Sequence, residues 1–395
     1  MCKFIKNPFY KDTPEWSIQK SFFLDDGILR FHSSLQGYEP TPVHCLQNLA
    51  HKLGIKAIFI KDESFRFDVK AFKIMGASYA IFCVLKSKWE NEFNSGFTIS
   101  DFKDPVKMSK LGSFTFCAAT DGNHGRAVAW TARKLGQKAK IYMPSNSVLS
   151  RIENIKNEGA EVILVDGTYD DCVNLVDADA RAHGWIVISD TAYKDNMYFP
   201  QQIMAGYTTI FREMENSVNK PQKCEADVVI LQAGVGGLTA AGIGYFVHKY
   251  GQHRPKIICL EPQRADSVME SIINGKPSAS ANDYNSIMAG LNCTISLLAW
   301  DYIKEGADYL MTVSDAYAEK AMRQYYYPIG QDPQIISGES GAASMAGFLA
   351  LFEEEKLAGW RMKMGINSET SVLLINTEGD TDPENFKRVV GLGSA

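Results

Sequence analysis

The stretch Ala71-Phe72-Lys73-Ile74-Met75-Gly76-Ala77 decides how the rest of the chain is read. It follows an apolar run from Ala57 to Lys61, which predicts a strand, and the acidic turn Asp62-Glu63-Ser64. It reads as the start of a helix carrying one lysine among apolar neighbours. A lysine so placed is partly desolvated. Desolvation disfavours the ammonium form, lowers the pKa and frees the amine as a nucleophile. A solitary lysine at a helix start has an ordinary reading too, since its stem can lie on apolar surface while the amine reaches water. Lys73 is not solitary in this sense: two later glycine-rich turns and one polar strand end have the chemistry to work with it.

Around that stretch the composition is plain. The 395 residues are 45% hydrophobic and 22% charged, ordinary usage for a folded chain of one large α/β unit or two domains. A formal net charge of -5, with no basic tract, weighs against a nucleic-acid partner. The eight cysteines are scattered and form no C-x-x-C pair, which reads as free thiols in a reducing cytoplasm. Neither a signal-peptide core at Met1-Cys2-Lys3-Phe4 nor an apolar run long enough to span a bilayer is evident, so no membrane association is expected. The seven histidines are dispersed without ligand spacing, so no metal site is expected.

Strand and helix signals alternate along the chain. After a helix from Lys73 to about Trp89, residues 90–110 mix charges with Gly, Ser and Pro and read as surface connection. Strands are expected at Phe114–Ala119, Lys138–Met143, Glu161–Val165 and Trp185–Ser189, with helices between them. Further strands are expected at Asp227–Gln232, Lys256–Glu261, Tyr309–Val313 and Thr370–Asn376. The opening residues to Asp26 read as irregular and aromatic-rich, and Cys45–Leu53 as a helix. Such alternation implies parallel sheet covered on both faces.

Three loops stand out. Gly234-Val235-Gly236-Gly237-Leu238 joins a strand to a helix, where glycines let the backbone turn tightly and present amides to an anion. The same turn could serve tight packing or a dinucleotide, with Glu261 after the next strand as the acidic ligand. Thr120-Asp121-Gly122-Asn123-His124-Gly125 is a second strand-to-helix turn, whose amides suit a substrate carboxylate. Asp121 also fits a helix N-cap, and His124 reads by preference as a structural residue at a helix start. Thr377 ends an apolar strand, a position that serves equally for an active-site hydroxyl of a parallel sheet or a plain turn.

Taken together, these segments resemble the fold-type II pyridoxal phosphate enzymes, the group of the tryptophan synthase β-subunit and threonine dehydratase. Within it they are most similar to the diaminopropionate ammonia-lyases. The resemblance runs from about Gly37 to Asp382. It rests on Lys61-Asp62-Glu63-Ser64, Ala71-Phe72-Lys73, Thr120 to Gly125, Ser189-Asp190-Thr191-Ala192, Gln232 to Gly236, Ile335 to Ala342 and Thr377 to Asp382. Asp121 is its most specific element, since threonine and serine dehydratases carry serine there. Lys70 departs from it, standing where asparagine is expected.

That resemblance implies two open, mostly parallel twisted α/β sheets with helices on both faces and the active site between domains. It implies a large cofactor domain (residues 1–69 and 200–395) and a small domain (70–199). It implies pyridoxal 5'-phosphate joined to Lys73, beside Phe72, with Asn123 on the ring hydroxyl, Gly234, Val235, Gly236, Gly237 and Leu238 on the phosphate, and Thr377 on the pyridine nitrogen. Thr120, Asp121, Gly122, Asn123 and His124 would face the substrate. Lys73, Asp121 and Asp190 would be catalytic, in the elimination of 2,3-diaminopropionate to pyruvate and two ammonia by a homodimer. The rivals are a serine or threonine dehydratase or β-replacing enzyme, a nicotinamide-dependent oxidoreductase built on Gly234 and Glu261, and an amino-acid-binding protein without chemistry.

Overall fold

A computed structural model of the chain describes residues 2–16, 20–120, 122–192, 196–215 and 225–392. The chain forms two compact units. One comprises Met1–Asp25, Pro40–Ala71 and Ile210–Ala395, the other Asp26–Glu39 and Phe72–Thr209. The described strands are β1 (Phe4–Lys6), β2 (Val43–Cys45), β3 (Ala57–Asp62), β4 (Thr115–Ala119), β5 (Lys138–Pro144), β6 (Glu161–Val165), β7 (Ile186–Val187), β8 (Val228–Gln232), β9 (Lys256–Pro262), β10 (Tyr309–Val313) and β11 (Ser371–Asn376).

The first unit holds a seven-stranded sheet in the order β1-β10-β9-β8-β11-β3-β2. Its five inner strands run parallel, and the short edge strands β1 and β2 pair antiparallel to β10 and β3. Strands β3, β8, β10 and β11 are buried at every position. That is why they read as unbroken apolar runs: a parallel sheet covered on both faces leaves no solvent side for alternation to mark. The helix Ala343–Glu353 lies along β8 to β11, and its face contributes Met345, Phe348 and Leu349 to the core. The second unit holds a parallel four-stranded sheet, β6-β5-β4-β7. Helices cover both sides of the sheets, as the strand–helix alternation predicts.

Three local expectations need correction. The opening segment is not wholly irregular: β1 is an edge strand, with Phe4 opposite Met311. Cys45 ends β2, and the helix begins only at Gln47. Residues 90–110 contain the helices Ile99–Phe102 and Pro105–Leu111. Both carry signals that charge and polarity obscured. Thr98 and Asp101 form a capping box, and Asp104 caps a helix whose first residue is proline.

Candidate active site

In the second unit the helix Lys73–Phe93 starts at Lys73 itself, with Phe72 as N-cap. Lys70 lies outside this helix, at φ 56°. Its amine pairs with Asp380 at 2.9 Å. The Lys73 amine lies 2.5 Å from Asp190 Oδ2. The side chains are 15% and 9% exposed, so the pair is largely withdrawn from water. Desolvation anticipated from the sequence is therefore accompanied by a carboxylate partner. Burial alone would raise the Asp190 carboxyl; the charge of Lys73 and its hydrogen bond outweigh it and hold the group at about 2.

Backbone packing fixes this lysine. The helix Tyr198–Arg212 crosses the lysine helix where each carries a glycine. A Cβ on Gly76 would fall 2.6 Å from both Ile203 and Tyr207, and one on Gly206 would strike the Met75 carbonyl. His32 links the same elements, with its ring nitrogens 2.7 Å from the Thr209 hydroxyl and 2.8 Å from the Met75 carbonyl. This close approach lays the Tyr207 ring against Phe72 at 4.8 Å between centroids. Burial pushes the Tyr207 phenol up, and Lys73 acts against that push. Tyr207 escaped the sequence reading because an aromatic residue in an apolar helix carries no mark of its surroundings.

The Thr120 turn is built around its first residue. Thr120 Oγ1 accepts the amides of Gly122 and Gly125, each at 3.0 Å. Gly122 has φ 149° and precedes the helix Asn123–Lys134, of which Asn123 is the first residue. Asp121, expected to be the most specific residue of the loop, lies outside the described residues. His124 is buried, and its Nε2 lies 2.6 Å from the Ile188 carbonyl oxygen. Its Nδ1 lies 3.9 Å from Asp190 Oδ2. The second unit thus assembles Phe72, Lys73, His124, Asp190 and Tyr207.

In the first unit, Gly234 and Gly236 form the turn between β8 and the helix Gly237–Tyr250. Gly236 has φ 89° and caps the helix, and a Cβ on Gly234 would come 2.7 Å from the Gly290 carbonyl. A side chain is excluded at both glycines. The amides of a first helical turn have no intrahelical acceptor and carry the positive end of the helix dipole, which favours an anion. Val235 and Leu238 flank the turn and are buried. Thr377 is buried just beyond β11; its hydroxyl donates to the Ser340 carbonyl at 3.4 Å and accepts from Gln232 Nε2 at 3.3 Å. Gln232 closes β8 as a polar residue ending an apolar run, the signal that singled out Thr377. Glu261, weighed as a ribose ligand, is buried and accepts the amides of Val268 and Met269 at 2.8 and 2.9 Å. It caps the helix Ser267–Asn274, which removes the acid that the nicotinamide reading needs.

The family described as pyridoxal-phosphate dependent enzyme matches residues 34–368. The chain belongs to that family. As a pyridoxal-phosphate dependent enzyme it is similar to the diaminopropionate ammonia-lyase of Escherichia coli K12, with 38% identity over 92% of this chain and 90% of that protein. The enzyme of the same name from Salmonella typhimurium is 38% identical over 93% of this chain and 91% of its own length. A crystal structure of the Escherichia coli diaminopropionate ammonia-lyase, in complex with an aminoacrylate-PLP azomethine reaction intermediate, superposes with a TM-score of 0.88. It covers 99% of this chain and 97% of that one at 36% identity. The residues described above fit the family's cofactor. Lys73 offers a half-buried amine, the Gly234 turn a cradle that a Cβ would close, and Thr377 a neutral hydroxyl bonded by a buried amide whose Oε1 has no hydrogen-bond partner.

Proposed function

We propose that this enzyme removes both amino groups of 2,3-diaminopropionate, in the D- or L-form, to leave pyruvate and two ammonia. The observation that carries the reading is the Lys73–Asp190 pair at 2.5 Å in a buried setting, on a chain so similar throughout to diaminopropionate ammonia-lyases. Lys73 would hold pyridoxal phosphate through its amine, beside Phe72. The amides of Gly234 to Leu238 would take the phosphate, Asn123 the ring hydroxyl and Thr377 the pyridine nitrogen. The first unit would then be the large cofactor domain and the second the small domain. When bound, the cofactor supplies a conjugated ring that accepts the electron pair left at Cα and so makes the α-proton removable.

The side chains do the rest. The β-nitrogen departs as ammonia only from its ammonium form, so a carboxylate close to it both selects the substrate and keeps that proton in place. Asp121 supplies this where a serine could not. Asp190, held ionised by Lys73, is the second carboxylate. The Thr120 turn takes the substrate carboxylate, with Thr120 Oγ1 holding the Gly122 and Gly125 amides that shape it. Thr377, a neutral hydroxyl, leaves the pyridine nitrogen largely unprotonated, which favours prompt loss of the β-group over transamination. Lys73 is assigned as base for the L-isomer and Asp121 for the D-isomer.

Pyruvate release from D- and L-diaminopropionate, serine and threonine, measured side by side, tests the substrate. Serine or threonine consumed faster than either diaminopropionate isomer would make the enzyme a dehydratase. Asp121→Asn should lose the D-isomer selectively; equal loss of both with binding intact sinks the assignment of bases. The seven described cysteines are free, which suits a reducing cytoplasm. None of the described helices is long and apolar enough to cross a membrane. A homodimer completes the proposal, and light scattering at about twice the chain mass of 43.9 kDa checks it.

A further inference from the structure

We infer that His124 is a proton-holding partner of Asp190, receiving at Nδ1 the proton that Asp190 gains during the reaction. This rests on the elimination chemistry proposed above, and it begins with the tautomer. His124 Nε2 lies 2.6 Å from the Ile188 carbonyl oxygen, and a carbonyl oxygen only accepts. Nε2 therefore carries the hydrogen, and a neutral ring leaves Nδ1 with a bare lone pair. That atom is buried with no hydrogen-bond partner. It faces Asp190 Oδ2 at 3.9 Å, across a gap that two acceptors cannot bridge. Buried ring nitrogens are normally satisfied, so an acceptor left bare toward a carboxylate needs an explanation. A place for a proton that reaches Asp190 only during the reaction provides one.

The described charges around the ring come from separate elements: Asp190 from the segment after β7, and Lys73 from the helix Lys73–Phe93. Tyr207, on the helix Tyr198–Arg212, stands within the influence of both Lys73 and Asp190. Burial pushes His124 below the ordinary imidazole range, with Lys73 adding to the push and Asp190 opposing it. The resting ring is thus uncharged and able to accept. While Lys73 pairs with Asp190, the carboxylate holds no proton. Once the amine of Lys73 is committed to the cofactor, Asp190 loses that cation and becomes a proton acceptor. An N–H bond of the substrate's α-ammonium breaks as Asp190 takes its proton; the O–H bond so formed breaks in turn as an N–H bond forms at Nδ1, and the proton returns by the same route to the nitrogen released as product. The transfer to Nδ1 leaves a carboxylate beside an imidazolium, the latter still donating to the Ile188 carbonyl. The carboxylate is restored, and no co-reactant is needed.

His124 acts through Asp190 and is a positioning residue in this scheme. Nitrogen-15 NMR of histidine-labelled protein should show His124 as the neutral Nε2–H tautomer between pH 6 and 8. An Nδ1–H tautomer or an imidazolium over that range overturns the relay. His124→Gln keeps an N–H donor toward Ile188 and removes the basic nitrogen. The variant holoenzyme should keep its visible cofactor band and its KM, while kcat falls on the order of tenfold to a hundredfold and the acid limb of the kcat profile shifts. A kcat–pH profile identical to that of the unaltered enzyme also overturns the relay. If the variant does not fold, the NMR result decides alone. Failure of the substrate reading is distinguishable: the unaltered holoenzyme would then ignore diaminopropionate, and the profiles would be taken on whichever amino acid it consumes.

Discussion

Lys61 and Lys73 each meet a carboxylate at 2.5 Å, yet one pair belongs to a closed network and the other to an open one. Around Lys61 every charge is answered. Its amine also donates to the Thr41 carbonyl at 2.8 Å. Arg66 spans Glu63 and Glu213 with bonds of 2.7 to 2.9 Å, and the Thr41 hydroxyl donates to Glu63 at 2.6 Å. Around Lys73, by contrast, His124 Nδ1 and Thr191 Oγ1 are buried without hydrogen-bond partners. A buried polar network that closes on itself holds structure, whereas one that stops short leaves capacity for a ligand or a proton. Lys61 is fully buried and Lys73 is 15% exposed, and the tally of unanswered lone pairs separates them further.

The sharpest way to test that contrast is to remove each cation. Lys73→Ala should cut pyruvate release by about a thousandfold or more, because a nucleophile that acts as a unit with its site cannot be replaced in part. The preparation should lose its visible absorbance, and borohydride should add no cofactor mass. The chain should still fold, as followed by circular dichroism. Full turnover in this variant would end the assignment of Lys73.

Arg66→Leu should act in the opposite sense. It leaves the buried Glu63 and Glu213 to share the single cation of Lys61, and the buried charge left uncompensated costs about 3–5 kcal/mol. Urea unfolding measures this, with turnover per folded molecule little changed. A cost below about 1 kcal/mol would mean that the closed network is not what holds these segments together.

A third difference is pH. Asp190 titrates at about 2 in the folded chain against an ordinary 3.8. A carboxyl depressed by folding contributes stability above its unfolded value, and that contribution is lost as pH falls toward the folded one. Asp190→Asn should therefore flatten the fall in stability between about pH 4 and pH 2 by about 2 kcal/mol, read from unfolding midpoints across that range. Glu213 is depressed in the same direction: burial opposes the shift, and Lys61 and Arg66 outweigh it. Glu213→Gln tests whether the closed network shares the slope.

How much of this the sequence displayed follows from distance along the chain. The helix starts at Lys73 and after Gly234 and the strand end before Thr377 are legible because strand, turn and helix are neighbours in sequence, and their patterns survive without tertiary knowledge. The parallel sheets are legible for the same reason, since a doubly covered strand writes its burial into consecutive residues. The edge strands β1 and β2 are not, because three residues paired to a distant partner leave no periodic trace. The bond that fixes the His124 tautomer reaches a carbonyl 64 residues away, and the Lys61–Glu213 pair spans 152. Neither arrangement could be read from local pattern, and so His124 reads as a structural helix-start residue until Ile188 and Asp190 are placed beside it.

The smallest expected effect belongs to Lys70, whose amine meets Asp380. Lys70 is left-handed at φ 56°, a region where asparagine is several-fold enriched over other non-glycine residues. Its amine forms an ion pair with Asp380, with side chains 53% and 28% exposed, and such pairs contribute about 0–1 kcal/mol. Lys70→Asn, which installs the residue expected there from the family resemblance, trades a weak surface pair for a better-suited backbone. Stability should change by no more than about 0.5 kcal/mol in either direction. Visible absorbance and borohydride labelling should be unchanged, because the amine that matters begins the helix rather than preceding it. A loss of colour in Lys70→Asn comparable with that in Lys73→Ala would place the two lysines in one site and erase the distinction between an answered charge and an open one.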